Sequence, residues 1–122
     1  MARPVKTPGP DHPITVEQTP GRLVVRAGGR VVADTTRALT LQESTYPPVQ
    51  YIPYEDVAEG ALRPTESQTY CPYKGDASYY ALVGPDGEIG DAVWTYLKPY
   101  DAVDAIAGHV AFYPQHVEIA AG

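Results

Sequence analysis

The residues with the greatest chemical capability lie in the stretch TYCPYKG, Thr69–Gly75, and among the aromatic residues that follow it. This stretch contains the only cysteine, Cys71, and a Lys-Gly pair that begins at Lys74. The residues that follow include the only tryptophan, Trp94, and four tyrosines: Tyr79, Tyr80, Tyr96 and Tyr100. Polar and aromatic residues crowded into one part of a chain predict a polar-aromatic pocket, and such a pocket predicts a small ligand.

Cys71 and Lys74 each allow two interpretations. Lys74, three residues after Cys71, would lower the pKa of the thiol and favour a nucleophile, whereas a reduced cysteine usually packs as a small apolar group. Lys74 and Gly75 lie on a predicted loop between two strands, where the lysine would hold an anionic ligand and the glycine would let backbone N–H groups approach it. The alternative for Lys74 is a solvated turn.

Five aromatic residues are candidates for a cage around a planar or cationic ligand. Trp94 and Tyr96 face the same side of a predicted strand, because side chains alternate along a strand. The alternative for each tyrosine is a core position. The chain has ten tyrosines and one phenylalanine. A plain core would prefer phenylalanine, because every buried hydroxyl needs a hydrogen-bond partner, so the excess of tyrosine favours a pocket. The five candidates are Tyr46, Tyr51, Tyr79, Trp94 and Tyr96.

Glu43 is the candidate acid or base. A half-buried Glu43 that faces the pocket would have a raised pKa and could transfer protons, and the alternative is a surface charge. Asp56 is interpreted as the cap of a short helix. Cys71, His109 and His116 lack the local spacing of metal ligands, so we expect no metal and no cofactor.

Composition limits the class of protein. The chain has 122 residues, of which 43% are apolar and 20% are charged, as in a single globular domain. The net charge of −6 makes nucleic-acid binding unfavourable. No apolar run of about 20 residues and no signal-peptide pattern occurs, and one cysteine forms no internal disulfide. We therefore expect a soluble cytoplasmic protein without a membrane partner, as a monomer or a homodimer.

Thirteen prolines and eleven glycines interrupt the chain too often for long helices. Residues 1–13 are interpreted as an extended N-terminal tail or a segment draped on the surface, and residues 14–122 as one domain. Turn signals at Gly28-Gly29 and at Gly84–Gly87 predict two hairpins. Residues 101–107, with Asp101 as the cap, are the best helix candidate. The prediction is a mainly β protein with seven to nine short strands, mostly antiparallel, and one or two short helices.

Four blocks of residues, in this order, resemble the family known as domain of unknown function 427: Glu43–Val57, Thr65–Gly75, Ala92–Tyr96 and Gly108–Tyr113. The resemblance implies a β-tent-like fold of two antiparallel sheets, a class that includes B-type methionine sulfoxide reductases and the thalidomide-binding domain of cereblon. The zinc site of that class needs two cysteine pairs, and this chain has one cysteine. The family is sometimes labelled nucleotidyltransferase, but the Asp-x-Asp pair after a Gly-Ser turn is missing from this sequence.

The sequence therefore predicts a small domain that binds a polar or aromatic metabolite. An enzyme that uses Glu43 or Cys71 in the same pocket remains an alternative, as does a protein-interaction module. The ligand and any reaction are open. The predicted site comprises Glu43, Tyr46, Tyr51, Thr69, Cys71, Lys74, Trp94 and Tyr96.

Overall fold

A computed structural model describes residues 3–122, and within them the chain forms ten β-strands and two short 3₁₀ helices. The helices span Tyr54–Asp56 and Asp101–Ile106, and neither is long and apolar enough to cross a membrane. The strands are β1 (Ile14–Gln18), β2 (Leu23–Ala27), β3 (Arg30–Thr35), β4 (Leu39–Glu43), β5 (Val49–Pro53), β6 (Leu62–Cys71), β7 (Gly75–Gly84), β8 (Gly87–Thr95), β9 (His109–Phe112) and β10 (Glu118–Ala121).

The strands form two antiparallel sheets, which confirms the predicted fold class. The larger sheet has the order β1-β4-β5-β9-β8-β7-β6, and the smaller has the order β10-β2-β3. Both predicted hairpins are present. Gly28 and Gly29 join β2 to β3 with φ values of 58° and 82°, as a two-residue turn of the primed type requires.

Strand β6 spans ten residues and runs through Pro64. Proline is tolerated there because β6 lies at the edge of the larger sheet, where one side of the strand has no neighbour to accept an N–H bond. The pairing of β6 with β7 shifts between Pro64 and Gln68, which marks an irregularity. The observed ten strands exceed the expected seven to nine.

Two predictions about helix caps are wrong. Residues 101–106 form a 3₁₀ helix preceded by Tyr100, and Asp101 is its first residue rather than its cap. Val103 and Ile106, which are fully buried, are three residues apart and therefore lie on one side of a three-residue turn. Asp56 ends the first 3₁₀ helix instead of capping it, and it accepts hydrogen bonds from Thr35 and Arg37.

The core has two parts, one on each face of the larger sheet. Between the two sheets, Val25 of β2 packs in one buried cluster with Ile52 of β5 and Val93 of β8. On the opposite face, Leu41 and Tyr51 pack in a second cluster with residues of the second 3₁₀ helix. The larger sheet is therefore covered on both faces, and its aromatic side chains are held in fixed positions.

The larger sheet opens between β5 and β9. Strand β5 pairs with β9 only through Ile52–Val110 and Pro53–His109. The earlier residues of β5, from Val49 to Tyr51, pair with β4 on one side and have no partner in β9. A gap therefore separates the two halves of the sheet, and this gap positions the candidate site.

Residues 3–13 lie against the turn between β6 and β7. The backbone N–H of Lys6 donates to Pro72 O at 2.9 Å, and the Tyr70 hydroxyl donates to Pro4 O at 2.7 Å. This placement fits a draped segment, although Met1 and Ala2 of the predicted tail lie outside the described residues. The division into a tail and a domain at residue 13 stays a prediction.

Gly75 begins β7 with a φ of +108°, a conformation that residues with a Cβ atom rarely adopt. We expect Gly75→Ala to lower the free energy of unfolding by about 1–3 kcal/mol, measured by urea denaturation. Gly90→Ala is the control, because Gly90 has a negative φ and open space around it. Equal losses in the two variants would contradict the expectation.

Candidate functional site

A cavity of about 720 Å³ lies at the opening between β5 and β9. Its lining divides into three regions, which are a polar end, an aromatic wall and an apolar end. The polar end holds Glu43 and Lys74. The aromatic wall is formed by Tyr46, Tyr51, Tyr79, Trp94, Tyr96 and Tyr113, and the apolar end includes Leu23, Phe112, Pro114 and Ile119.

The polar end is an ion pair between Lys74 Nζ and Glu43 Oε1. Both side chains are largely buried, with 9% of Lys74 and 17% of Glu43 exposed. The other carboxylate oxygen, Oε2, is 2.7 Å from Nε2 of His12. Two groups that are distant from Glu43 in sequence, Lys74 and His12, therefore meet at its carboxylate. Lys74 is thus not the solvated turn residue that one interpretation expected.

Backbone geometry aims Glu43 into the cavity. Because side chains alternate along β4, Glu43 lies on the same face of the sheet as the buried Leu41. Ser44 follows with a φ of +48°, and the backbone N–H of Tyr46 donates to Glu43 O at 2.9 Å, so the chain turns directly after the carboxylate. The N–H of Ser44 donates to Pro13 O at 2.8 Å, which brings the segment containing His12 alongside.

The turn between β6 and β7 carries Lys74. Its backbone N–H donates to Cys71 O at 3.2 Å, and its carbonyl accepts from the N–H of Tyr100 at 3.0 Å. Gly75 continues the chain with a positive φ, which lets β7 begin immediately after the turn. The lysine is therefore fixed at its backbone and at its ammonium group.

The predicted raised pKa of Glu43 is wrong, because its pKa lies below the ordinary value. Burial alone raises the pKa, as expected, but hydrogen bonds and charge from Lys74 and His12 outweigh it. Glu43 is consequently a carboxylate at neutral pH, which suits an acceptor or a base rather than an acid.

His12 belongs to this cluster and sequence reasoning missed it. Its ring stacks on Tyr73, with centroids 4.1 Å apart and planes 11° from parallel. His12 donates its Nε2 proton to Glu43, because an ionised carboxylate only accepts. No local pattern could have identified this residue, since its carboxylate partner lies 31 positions later in the chain.

Trp94 and Tyr51 form the centre of the aromatic wall. The indole Nε1–H of Trp94 donates to the Tyr51 hydroxyl at 3.1 Å across the opening. Burial raises the pKa of Tyr51 to about 12, so its hydroxyl stays protonated and free to donate. Tyr113, which the predicted site omitted, lies against Trp94 with ring centroids 4.5 Å apart. Tyr113 ends Gly108–Tyr113, one of the four blocks that carry the family resemblance, and this was the sequence signal that could have identified it.

The remaining tyrosines of the predicted cage differ in burial. Tyr96 is 8% exposed, and burial raises the pKa of its hydroxyl well above the usual range. Tyr46 is 57% exposed and lies at the rim. Tyr51 and Tyr96 belong to the second core cluster and also line the cavity, so the core and pocket interpretations both apply to them.

Two predicted site residues, Cys71 and Thr69, do not line the cavity. Cys71 is half-buried, packs against the second core cluster, and has its Sγ 3.7 Å from Lys74 Nζ. The Thr69 hydroxyl bonds to the Tyr79 hydroxyl at 2.8 Å, so it supports a lining residue from outside. His109 bonds through Nδ1 to the carbonyl of Ala107. Residues 3–122 contain no group of three metal-ligating side chains.

The Lys74–Glu43 pair leads to a prediction about stability. We expect Lys74→Met to lower the free energy of unfolding by about 2 kcal/mol at pH 7, because it leaves a buried carboxylate without its cation. Adding Glu43→Gln should recover at least half of the loss, because the orphaned charge is removed. Urea denaturation of wild type, the two single variants and the double variant measures the coupling free energy between Lys74 and Glu43.

The coupling should also depend on pH. Since the pKa of Glu43 is lowered in the folded protein, its contribution is fully present above its unfolded pKa of about 4.3. That contribution is lost as the pH falls through the still lower folded pKa. Two results would contradict a stabilising ion pair. One is losses in the free energy of unfolding that are additive at pH 7, and the other is a Lys74–Glu43 coupling energy that grows as the pH falls.

The sequence model of a family described as Domain of unknown function (DUF427) matches residues 15–121. No curated protein matches the chain significantly. Since the matched range covers nearly the whole chain and includes every residue of the aromatic wall, the family resemblance is confirmed. The chain belongs to the DUF427 family.

Proposed function

We propose that the protein binds a small polar or aromatic molecule in the cavity between β5 and β9. One observation carries the proposal, which is a cavity of about 720 Å³ with an ion pair at one end and an aromatic wall beside it. Ligand sites commonly measure about 300–1,000 Å³ and combine apolar walls with a few placed polar groups.

The wall and the apolar end favour a ligand that contains a ring. Trp94 and Tyr113 present a tilted pair of aromatic faces, and such faces attract planar groups by offset or edge contacts. Phe112 and Ile119 extend the apolar lining toward the smaller sheet. A ring against Trp94 with a polar group at Lys74 would use the aromatic wall and the polar end of the cavity.

A second candidate function is catalysis in the same cavity, and the state of Glu43 favours it. Its carboxylate is ionised at neutral pH, lines the cavity and is held by Lys74 and His12. A fixed carboxylate can accept a proton from a bound molecule as a general base. Cys71 does not line the cavity, so its position does not favour a nucleophilic role.

Replacing the indole tests the binding proposal. We expect members of a polar and aromatic metabolite library to raise the Tm of the wild-type protein, and Trp94→Leu to weaken their binding by about tenfold or more. Tyr54→Leu is the matched control, because Tyr54 is 50% exposed and lies outside this cavity. A hit that both variants bind as tightly as wild type would place the binding site elsewhere.

Thiol alkylation separates the two possible roles of Cys71. Because Cys71 packs against the core, we expect iodoacetamide to modify it far more slowly in the native protein than in urea. Cys71→Ser should retain ligand binding and any activity found. Two results together would support a nucleophilic role for Cys71: faster alkylation in the native protein than in the unfolded chain, and loss of activity in Cys71→Ser.

A further inference from the structure

We propose that the group of the ligand that occupies the polar end is uncharged and carries both a hydrogen-bond donor and an acceptor, as a carboxamide does. This inference rests on the proposed binding function. It follows from the charge balance at the polar end and from the donors and acceptors that remain there.

The charge balance at the polar end is the first step. Among the residues of 3–122 that line the cavity, Glu43 and Lys74 are the two with formal charge. They compensate each other's charge, and each is largely shielded from water. His12, which bonds to the second oxygen of Glu43, does not line the cavity. An anion placed beside Lys74 would also face Glu43, and a cation placed beside Glu43 would face Lys74. Either ligand would bring an uncompensated charge into a poorly solvated site, at a cost in affinity.

The ion pair leaves hydrogen-bond donors and acceptors unused at the polar end. An ammonium has three N–H donors, and Lys74 directs one to Glu43 and one to the sulfur of Cys71, so one is left. Each oxygen of Glu43 has two lone pairs and accepts one bond here. The Tyr51 hydroxyl accepts from Trp94 and retains its proton. The polar end therefore offers donors and acceptors side by side.

A matched set of probes tests the inference. Benzamide, benzoate and benzamidinium share one ring and differ in the charge of a planar head group of similar size. Binding is read at pH 7 from the fluorescence of Trp94, the only tryptophan, and from its indole N–H resonance. We expect benzamide to bind wild type about tenfold or more tightly than either ion.

Two variants should remove the preference if the ion pair sets it. Glu43→Gln leaves the charge of Lys74 uncompensated, so benzoate should gain on benzamide by about tenfold. Lys74→Met leaves the charge of Glu43 uncompensated, so the affinity for benzamidinium should rise relative to that for benzamide by a similar factor. Tyr54→Phe, outside the cavity, is the control and should leave all three affinities unchanged. Should Lys74→Met fail to fold, the wild-type ranking and Glu43→Gln decide the question.

The outcomes distinguish this inference from the proposed function. If benzoate or benzamidinium binds wild type as tightly as benzamide and shifts the Trp94 resonance, the cavity binds ligands but the inference of an uncharged head group is overturned. If none of the three perturbs Trp94 at millimolar concentration, the binding proposal and this inference both fail. The expected ranking, with its loss in the variants, supports both.

Discussion

Two side-chain contacts span the opening in the larger sheet, and the site depends on them. Strands β5 and β9 share only two residue pairs, so backbone hydrogen bonds join the halves of the sheet at one end alone. Away from that end, Lys74 reaches Glu43 from the β6–β7 turn, and Trp94 on β8 reaches Tyr51 on β5. A sheet that parts between strands normally exposes unpaired backbone groups, and here side chains bridge the gap instead. The cavity is the space that these bridges hold open.

The ion pair is a costly bridge, and its surroundings explain how the fold tolerates it. Two charges removed from water lose hydration that their mutual attraction seldom restores in full. Additional hydrogen bonds reduce that deficit, and His12 supplies one to the second oxygen of Glu43. An apolar pair of similar size would hold the opening without this cost. A charged pair that faces a cavity therefore suits recognition better than it suits stability.

Local signals allowed most strands to be predicted. Two glycines with positive φ specify the β2–β3 turn. Alternation placed Trp94 and Tyr96 on one side of the chain, and both line the cavity. These features depend on neighbours within a few residues. The extension of β6 through Pro64 depended instead on its place at the sheet edge, which local sequence does not encode. The form of the helix at 101–106 depended on the core beneath Val103 and Ile106.

The state of Glu43 shows where sequence reasoning reaches its limit. A half-buried Glu43 was one of two interpretations of the sequence, and burial alone raises the pKa of a carboxyl group. Lys74 and His12 reverse the direction, and both lie 31 positions from Glu43, one on each side along the chain. The antiparallel pairing of Ile14 with Glu43 brings His12 close, and the bridge across the opening brings Lys74. The chemistry of the carboxylate is thus set by topology, since the fold decides which charges share its surroundings.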